Sequence, residues 1–124
     1  MSYIDGFVLP VPNANKEAFI KYAEEMDAIF IELGALRVME CWGDDIPDGK
    51  QTDFRKSVKA TDDETVVFSF VEWPDKETRD KAYEKMHEIA KTDERWDQEK
   101  NPMPLDGHRM FWGGFNPVFD LKQE

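Results

Sequence analysis

The sequence predicts an α+β domain in which a four-stranded antiparallel sheet carries two helices on one of its faces. Two observations lead to this prediction. The segment Thr65–Trp73 is a strand that is apolar on both alternating faces, and the predicted elements follow one another in the order β-α-β-β-α-β. A chain of 124 residues is long enough to bury a core, and we expect one domain over residues 1–124.

The central strand is the most strongly patterned segment of the chain. One of its faces carries Val66, Phe68 and Phe70, and the other carries Val67, Val71 and Trp73. Pro74 and Asp75 end the apolar run sharply. A strand of this type is typical of a sheet position that is covered on both sides.

The first strand is predicted at Tyr3–Pro10, because Pro10 and Pro12 cannot donate to the hydrogen-bond ladder. A helix follows from Lys16 to about Leu33, where apolar residues recur at steps of three and four. Its inner stripe is formed by Phe19, Tyr22, Ala23, Met26, Ile29, Phe30 and Leu33, whereas Asp27 is assigned to the solvent-facing side. Asn13 or Asn15 is the predicted cap, and Gly34 is a natural helix end.

A second strand is predicted at Ala35–Trp42, where the face that carries Glu40 alternates with the face that carries Arg37. Each face therefore places one charged side chain among apolar neighbours. The connection Gly43–Glu64 is unusually long, and connections of this length often carry function or contact a partner. Within it we predict a short helix at Asp53–Lys59 that is capped by Thr52.

A second long helix is predicted from about Asp75 to Thr92, with Asp75 as its cap, and the polar segment Asp93–Gly107 is predicted to be irregular. The last strand is predicted at Arg109–Phe115. Because helix crossovers between strands of one sheet are right-handed, this element order gives a ferredoxin-like sheet with both helices on one face.

The charge balance excludes several classes of partner. Sixteen basic and 27 acidic residues give a net charge of −11, which argues against nucleic acid and against an anionic membrane surface. The chain has no signal-peptide pattern and no apolar run approaching the roughly 20 residues of a spanning helix, and its one cysteine, Cys41, forms no internal disulfide. We therefore expect a soluble cytoplasmic protein.

The predicted sheet has more apolar surface than two helices can cover. Large side chains such as Phe7, Phe70, Phe111 and Trp112 cannot all point toward the helices. A bare second face would expose on the order of several hundred Å² of apolar surface, more than a monomer usually tolerates. We therefore predict a homodimer in which these second faces pack together around a two-fold axis.

Three separated motifs, GDDIPDGKQTDF, VVFSFVEWPDKETRD and MPLDGHRMFWGGF, resemble the YbaA-like family of small bacterial proteins. The resemblance extends from Tyr3 to Phe115. That family is placed in the dimeric α/β-barrel superfamily, so the resemblance implies a ferredoxin-like protomer and a dimer whose sheets enclose a barrel. It implies no activity, and it supplies neither catalytic residues nor a cofactor.

Polar side chains that face an enclosed space are the best site candidates, because burial shifts their pKa values. The candidate barrel-lining residues are Asp5, Arg37, Phe68, Phe70, Glu72, His108 and Arg109. If Asp5 and Glu72 share the non-helical face with Phe68 and Phe70, an acid pair lines the barrel. His108 follows a tight turn and is more simply a surface histidine than an acid or base. We favour the interpretation in which the charged candidates pair with one another and only set register.

Three functional hypotheses follow. The leading one is a dimeric small-molecule-binding or structural module. The alternative is a small enzyme of the monooxygenase or isomerase type with its site inside the barrel, an analogy that rests on fold alone. The third is a protein-interaction module that uses Gly43–Glu64. No metal site is predicted, because Asp44–Arg55 has Ile46 and Arg55 where a calcium loop needs oxygen ligands.

Overall fold

A computed structural model of the protein describes residues 2–124. The strands are β1 (Tyr3–Pro12), β2 (Arg37–Trp42), β3 (Glu64–Trp73) and β4 (Phe111–Phe115), and the helices are α1 (Lys16–Glu32), α2 (Phe54–Ser57) and α3 (Lys76–Ile89). Short 3₁₀ turns lie at Asn13–Asn15 and Glu94–Trp96. Among the helices within residues 2–124, none is long and apolar enough to cross a membrane.

The four strands form one antiparallel sheet in the order β2-β3-β1-β4. This order, with α1 and α3 on the same face, confirms the predicted ferredoxin-like α+β fold. In a single chain the sheet is open, not a closed barrel, because β2 and β4 lie at its two edges. The register sets Tyr3 opposite Trp73 and therefore places all odd-numbered residues of β1 on the helix-covered face.

The core lies between the helices and the sheet. Its buried members include Tyr3, Leu9, Val11, Phe19, Val67, Val71, Trp73 and Ala82. Burial of this apolar surface stabilises the fold by about 25 cal/mol per Å² removed from water. The ring of Phe30 packs edge-on against Trp73 at a centroid distance of 6.0 Å, and this contact joins α1 to the centre of the sheet.

The other face of the sheet is partly covered by the connection that follows β2. Val58, directly after α2, is buried against Val8 and Val66, and Phe54 packs on Phe68 at 6.4 Å between ring centroids. The sequence prediction left this face uncovered within one chain. That prediction was wrong for the end of the sheet on which α2 and Val58 pack. The remainder, called the open face below, is formed by Ile4, Met39, Cys41, Phe68, Phe70, Phe111 and Phe115.

The ends of several elements differ from the sequence prediction, and two of these differences have a clear physical cause. Strand β1 continues through Pro10 and Pro12, because its odd-numbered residues supply the hydrogen bonds to β3. At the strand end, for example, the Asn13 backbone N–H donates to the Asp63 carbonyl. The backbone of the two prolines faces the side of β4, which has already ended at this point. Their lack of an N–H therefore leaves no hydrogen bond of the ladder unmade. The short helix α2 is capped by Asp53, whose carboxylate accepts from the Lys56 N–H at 2.7 Å, and not by Thr52.

Candidate functional site

The predicted acid pair does not form, because Asp5 lies on the helix-covered face. Its neighbour across the sheet is Val71, whereas Glu72 pairs with Ile4 and points to the opposite side. Alternation along β1 puts Asp5 on the same face as Tyr3 and Phe7, but only the antiparallel register decides which face of β3 lies beside that face. Asp5 is therefore removed from the set of residues that line the open face.

Asp5 is the centre of a buried, fully hydrogen-bonded cluster. Its carboxylate accepts from Trp73 Nε1 at 2.9 Å, from the Tyr83 hydroxyl at 2.7 Å and from Arg79 Nη2 at 2.9 Å. The Arg79 guanidinium also stacks on the Tyr83 ring at 4.4 Å from its centroid. Burial and then Asp5 raise the pKa of Tyr83. A buried carboxylate with three side-chain partners has no free acceptor directed at a ligand, so we interpret this cluster as structural.

The other predicted residues on strands do meet on the open face. Arg37 and Glu72 are opposite each other in the β2–β3 register, and the Arg37 guanidinium lies 5.9 Å from the centroid of the Phe70 ring. Phe68 is 45% exposed in the single chain. In a single chain these side chains lie on a sheet face that is partly exposed to solvent.

Arg109 and His108 lie in the turn before β4, and strand pairing begins only at Phe111. Arg109 binds both oxygens of the buried Glu64 carboxylate, at 2.7 and 2.6 Å, and also Asp106 at 2.9 Å. The Arg109 guanidinium lowers the pKa of Glu64 to about 2. His108 is exposed. Arg109 therefore joins the β4 turn to the start of β3 through two carboxylates, Glu64 and Asp106, that were not among the predicted site residues.

A cavity of about 230 Å³ lies on the other side of the sheet, between helix α1 and the three strands β1, β2 and β3. Its floor comes from strand residues and its roof from α1, while the segment 96–110 closes the side. The lining residues are Phe7, Leu9, Phe19, Tyr22, Ala23, Met26, Asp27, Phe30, Glu40, Ser69, Val71, Trp96, Met103, Leu105 and Met110. We call this space the Glu40 cavity.

Two acidic side chains meet in the wall of the Glu40 cavity. The Glu40 carboxyl from β2 lies beside the Asp27 carboxyl from α1 and near Ser69 of β3. Two carboxylates can only accept, so this contact needs a proton between them. Burial, reinforced by the contact with Asp27, raises the pKa of Glu40 to about 9. Glu40 therefore holds a proton at neutral pH, and burial also raises the pKa of Asp27.

Two buried polar atoms belong to residues that line this cavity. Considering residues 2–124, no hydrogen-bond donor reaches Glu40 Oε1 and no acceptor reaches the indole Nε1 of Trp96. Buried polar groups almost always have partners, and these two atoms are exceptions that are closed to solvent. Burial, and then the charge of Asp27, raise the pKa of Tyr22 in the same wall.

The segment that closes the cavity is held to α1 by polar contacts. Asn15 donates its side-chain N–H to the Pro104 carbonyl at 2.9 Å instead of capping α1. Arg95 binds Glu32 at 2.8 Å and Asp93 at 2.6 Å. These contacts place Trp96 and the following apolar residues over the cavity mouth, although the sequence predicted only an irregular polar segment there.

The sequence analysis missed the Glu40 cavity, although it contained a signal. Glu40 shares one face of β2 with Val38 and Trp42. This face is directed at the helices, so it carries one carboxylate among apolar side chains. Asp27 was assigned to solvent, because the helical period places it at the margin of the apolar stripe. Only the packing of α1 on β2 shows that the two carboxyls meet. Within the described part of the chain, no group of three His, Cys, Asp or Glu side chains is placed to hold a metal ion.

Comparisons with known proteins agree with the fold. The chain is 48% identical over 120 residues to the protein called uncharacterized protein YbaA in Escherichia coli K12 and in Shigella flexneri, covering 97% of this chain and 99% of theirs. A solved structure, described as a dimeric ferredoxin-like protein from an uncultured marine organism, matches with a TM-score of 0.61. It is 9% identical and covers 98% of this chain and all of its own, so it supports the fold alone.

A family model described as protein of unknown function (DUF1428) matches residues 2–107, which include every strand and helix except β4. The family description names no activity, and neither do the names of these relatives. The extent of the match and the 48% identity to YbaA show that this chain belongs to the DUF1428 family.

Proposed function

We propose that this protein is a small-molecule-binding protein whose site is the Glu40 cavity. The observation that carries the proposal is a cavity of about 230 Å³ whose largely apolar walls also contain the Asp27 and Glu40 carboxyls. Such a combination of apolar walls and a few convergent polar groups is typical of ligand sites.

The size of the cavity limits the ligand. An engineered apolar cavity of about 150 Å³ holds benzene, whereas sites for drug-sized molecules occupy roughly 300–1,000 Å³. The Glu40 cavity, at about 230 Å³, therefore fits a molecule of one substituted ring or a comparable aliphatic body. Aromatic side chains such as Phe19, Phe30 and Trp96 provide flat walls for it.

A screen of single-ring compounds tests this proposal, with thermal stabilisation and tryptophan fluorescence as readouts. Ala23 lines the cavity, and an Ala23→Leu substitution would fill part of it. Ala18 lies exposed on the same helix, so Ala18→Leu is the matched control. We expect compounds that stabilise the wild type and Ala18→Leu but not Ala23→Leu. The proposal fails if no compound binds, or if bound compounds ignore the Ala23→Leu change.

The open face supports a second part of the proposal, which is that two copies form a homodimer through it. Phe68, Phe111 and Phe115 are 45%, 47% and 61% exposed on this face, and β4 is followed by a segment whose Phe119 and Leu121 are 79% and 81% exposed. The ferredoxin-like structural neighbour is described as dimeric. Burial of about 800 Å² per copy would be a standard interface and would cover these side chains.

An enzymatic role is the second candidate function, and the Asp27–Glu40 pair is the observation that favours it. One carboxyl that holds a proton beside one that is ionised is the arrangement used for acid–base catalysis. Proton exchange with solvent at a carbon of a bound carbonyl compound would reveal such activity. Loss of that exchange in both Asp27→Asn and Glu40→Gln would assign it to this pair.

A further inference from the structure

The Asp27–Glu40 pair places a negative charge in the wall of the Glu40 cavity without a neutralising side chain. Among the described residues, no lysine, arginine or histidine lines the cavity, and neither carboxyl takes part in a salt bridge. Arg95, on the closing segment, is held by Glu32 and Asp93. Both carboxyls are half-buried, and a carboxylate that is partly removed from water is costly without a counter-charge.

The walls around this charge suit a cation. Tyr22 and Asp27 lie on the same helix, and Phe7, Phe19, Phe30 and Trp96 supply further ring faces. Aromatic faces attract an ammonium group within about 6 Å of the ring centroid. An ammonium also carries three N–H donors, and the Asp27 carboxylate in the cavity wall is an acceptor for them. The net charge of −11 would favour the approach of cations.

We propose that the Glu40 cavity selects a compact organic amine in its protonated form, with a body of about one ring. This inference rests on the proposed binding function and names the class of its ligand. The amine would neutralise Asp27 without displacing the proton on Glu40, so that the site becomes electrically neutral when occupied. An organic anion would instead bring a second negative charge into the cavity, and a hard metal ion would find too few oxygen ligands.

Three probes of nearly equal size separate charge from shape: 2-phenylethylamine, 2-phenylethanol and phenylacetate, which are cationic, neutral and anionic at pH 7. We would measure their affinities for the wild-type protein by isothermal titration calorimetry. We expect the amine to bind at least about tenfold more tightly than the alcohol, and phenylacetate to bind most weakly. A variant with Asp27→Asn and Glu40→Gln removes the charge at nearly constant shape and should make the amine and the alcohol equal.

The outcomes distinguish the two proposals. If the alcohol or phenylacetate binds the wild type as tightly as the amine does, the cavity binds ligands but the amine inference is wrong. If the folded double variant keeps the preference for the amine, the inference is also wrong. If none of the three probes binds the wild type, both this inference and the proposed binding site fail. The wild-type comparison decides the matter even where the double variant does not fold.

Discussion

Asp27 on α1 and Glu40 on β2 bring two carboxyl groups together, a contact that requires a proton between them, in a cavity whose other walls are largely apolar. The contact joins the first helix to an edge strand of the sheet. Its strength therefore depends on pH as well as on packing.

Glu40 should make the folded protein less stable as the pH rises. Its pKa is about 9 in the folded chain against 4.5 as the ordinary value. Between these values the unfolded chain releases the proton and the folded chain keeps it, so the free energy of unfolding falls by up to about 1.4 kcal/mol per pH unit. Glu40→Gln removes this dependence. Urea unfolding at pH 6 and pH 8 should show a decline of about 1–3 kcal/mol that is specific to the wild type.

The control for this measurement is Glu25→Gln, at an exposed glutamate of α1, the helix that carries Asp27. This variant should retain the wild-type decline between pH 6 and pH 8. Equal declines in the wild type and in Glu40→Gln would show that Glu40 does not hold a proton in the folded chain.

The Arg79→Met substitution should destabilise the protein strongly. Asp5 is completely buried, and Arg79 is its only cationic partner within residues 2–124. Removing one member of a buried ion pair leaves a charge without its partner, which costs about 3–5 kcal/mol. Chemical unfolding measures the loss. Lys85→Met, at an exposed position of the same helix, is the control and should change stability by less than about 0.5 kcal/mol. A similar change in both variants would contradict a special role for Arg79.

The Phe68→Asp substitution should convert the proposed dimer into a monomer. The Phe68 ring lies on the open face beside Phe54, and an aspartate there would place one charge from each copy in the interface. Sedimentation velocity should show the wild type at twice the monomer mass of 14.5 kDa and the variant at 14.5 kDa. Ile31→Asp replaces a half-exposed apolar residue of α1 and should remain dimeric. A wild type that sediments as a monomer at micromolar concentration would contradict the proposed dimer.

The segment after β4 should contribute to the same interface. Val118, Phe119 and Leu121 are 95%, 79% and 81% exposed, so they make few contacts within their own chain. Burying one such side chain contributes about 1.5–3 kcal/mol. Changing all three to serine should therefore raise the dimer dissociation constant at least tenfold, which a dilution series in sedimentation equilibrium measures. Changing Lys122 and Gln123 to serine should leave it unaltered. Equal dissociation constants for these variants would place the segment outside the interface.

Much of the fold could be predicted from the sequence, because periodicity is a local property. The steps of three and four in α1 and the two apolar faces of β3 reflect 3.6 and 2 residues per repeat, and the structure confirms both elements. Asp75 as the cap of α3 is also confirmed, since its carboxylate accepts from the Thr78 N–H at 2.7 Å. The ends of strands were less accurate, because they depend on which neighbouring strand is present.

The candidate site could not be predicted in the same way. Asp27 and Glu40 are separated by the end of α1 and a turn, and their meeting depends on how the helix packs across the sheet. Trp96 comes from a segment with almost no regular structure, whose position is set by Asn15 and Arg95. Such long-range contacts leave no period in the sequence. The sequence analysis consequently placed its candidates on the open face and missed the cavity under α1.

By itself, the sequence determined the class of the protein: an acidic α+β domain with a ferredoxin-like order of elements and more apolar sheet surface than two helices cover. Tertiary structure alone decided that Asp5 faces the helices and that α2 covers one end of the open face. It also decided that a protonated Glu40 meets Asp27 in a cavity. The physical reason is that alternation defines two faces for each strand, whereas register and packing choose what each face contacts.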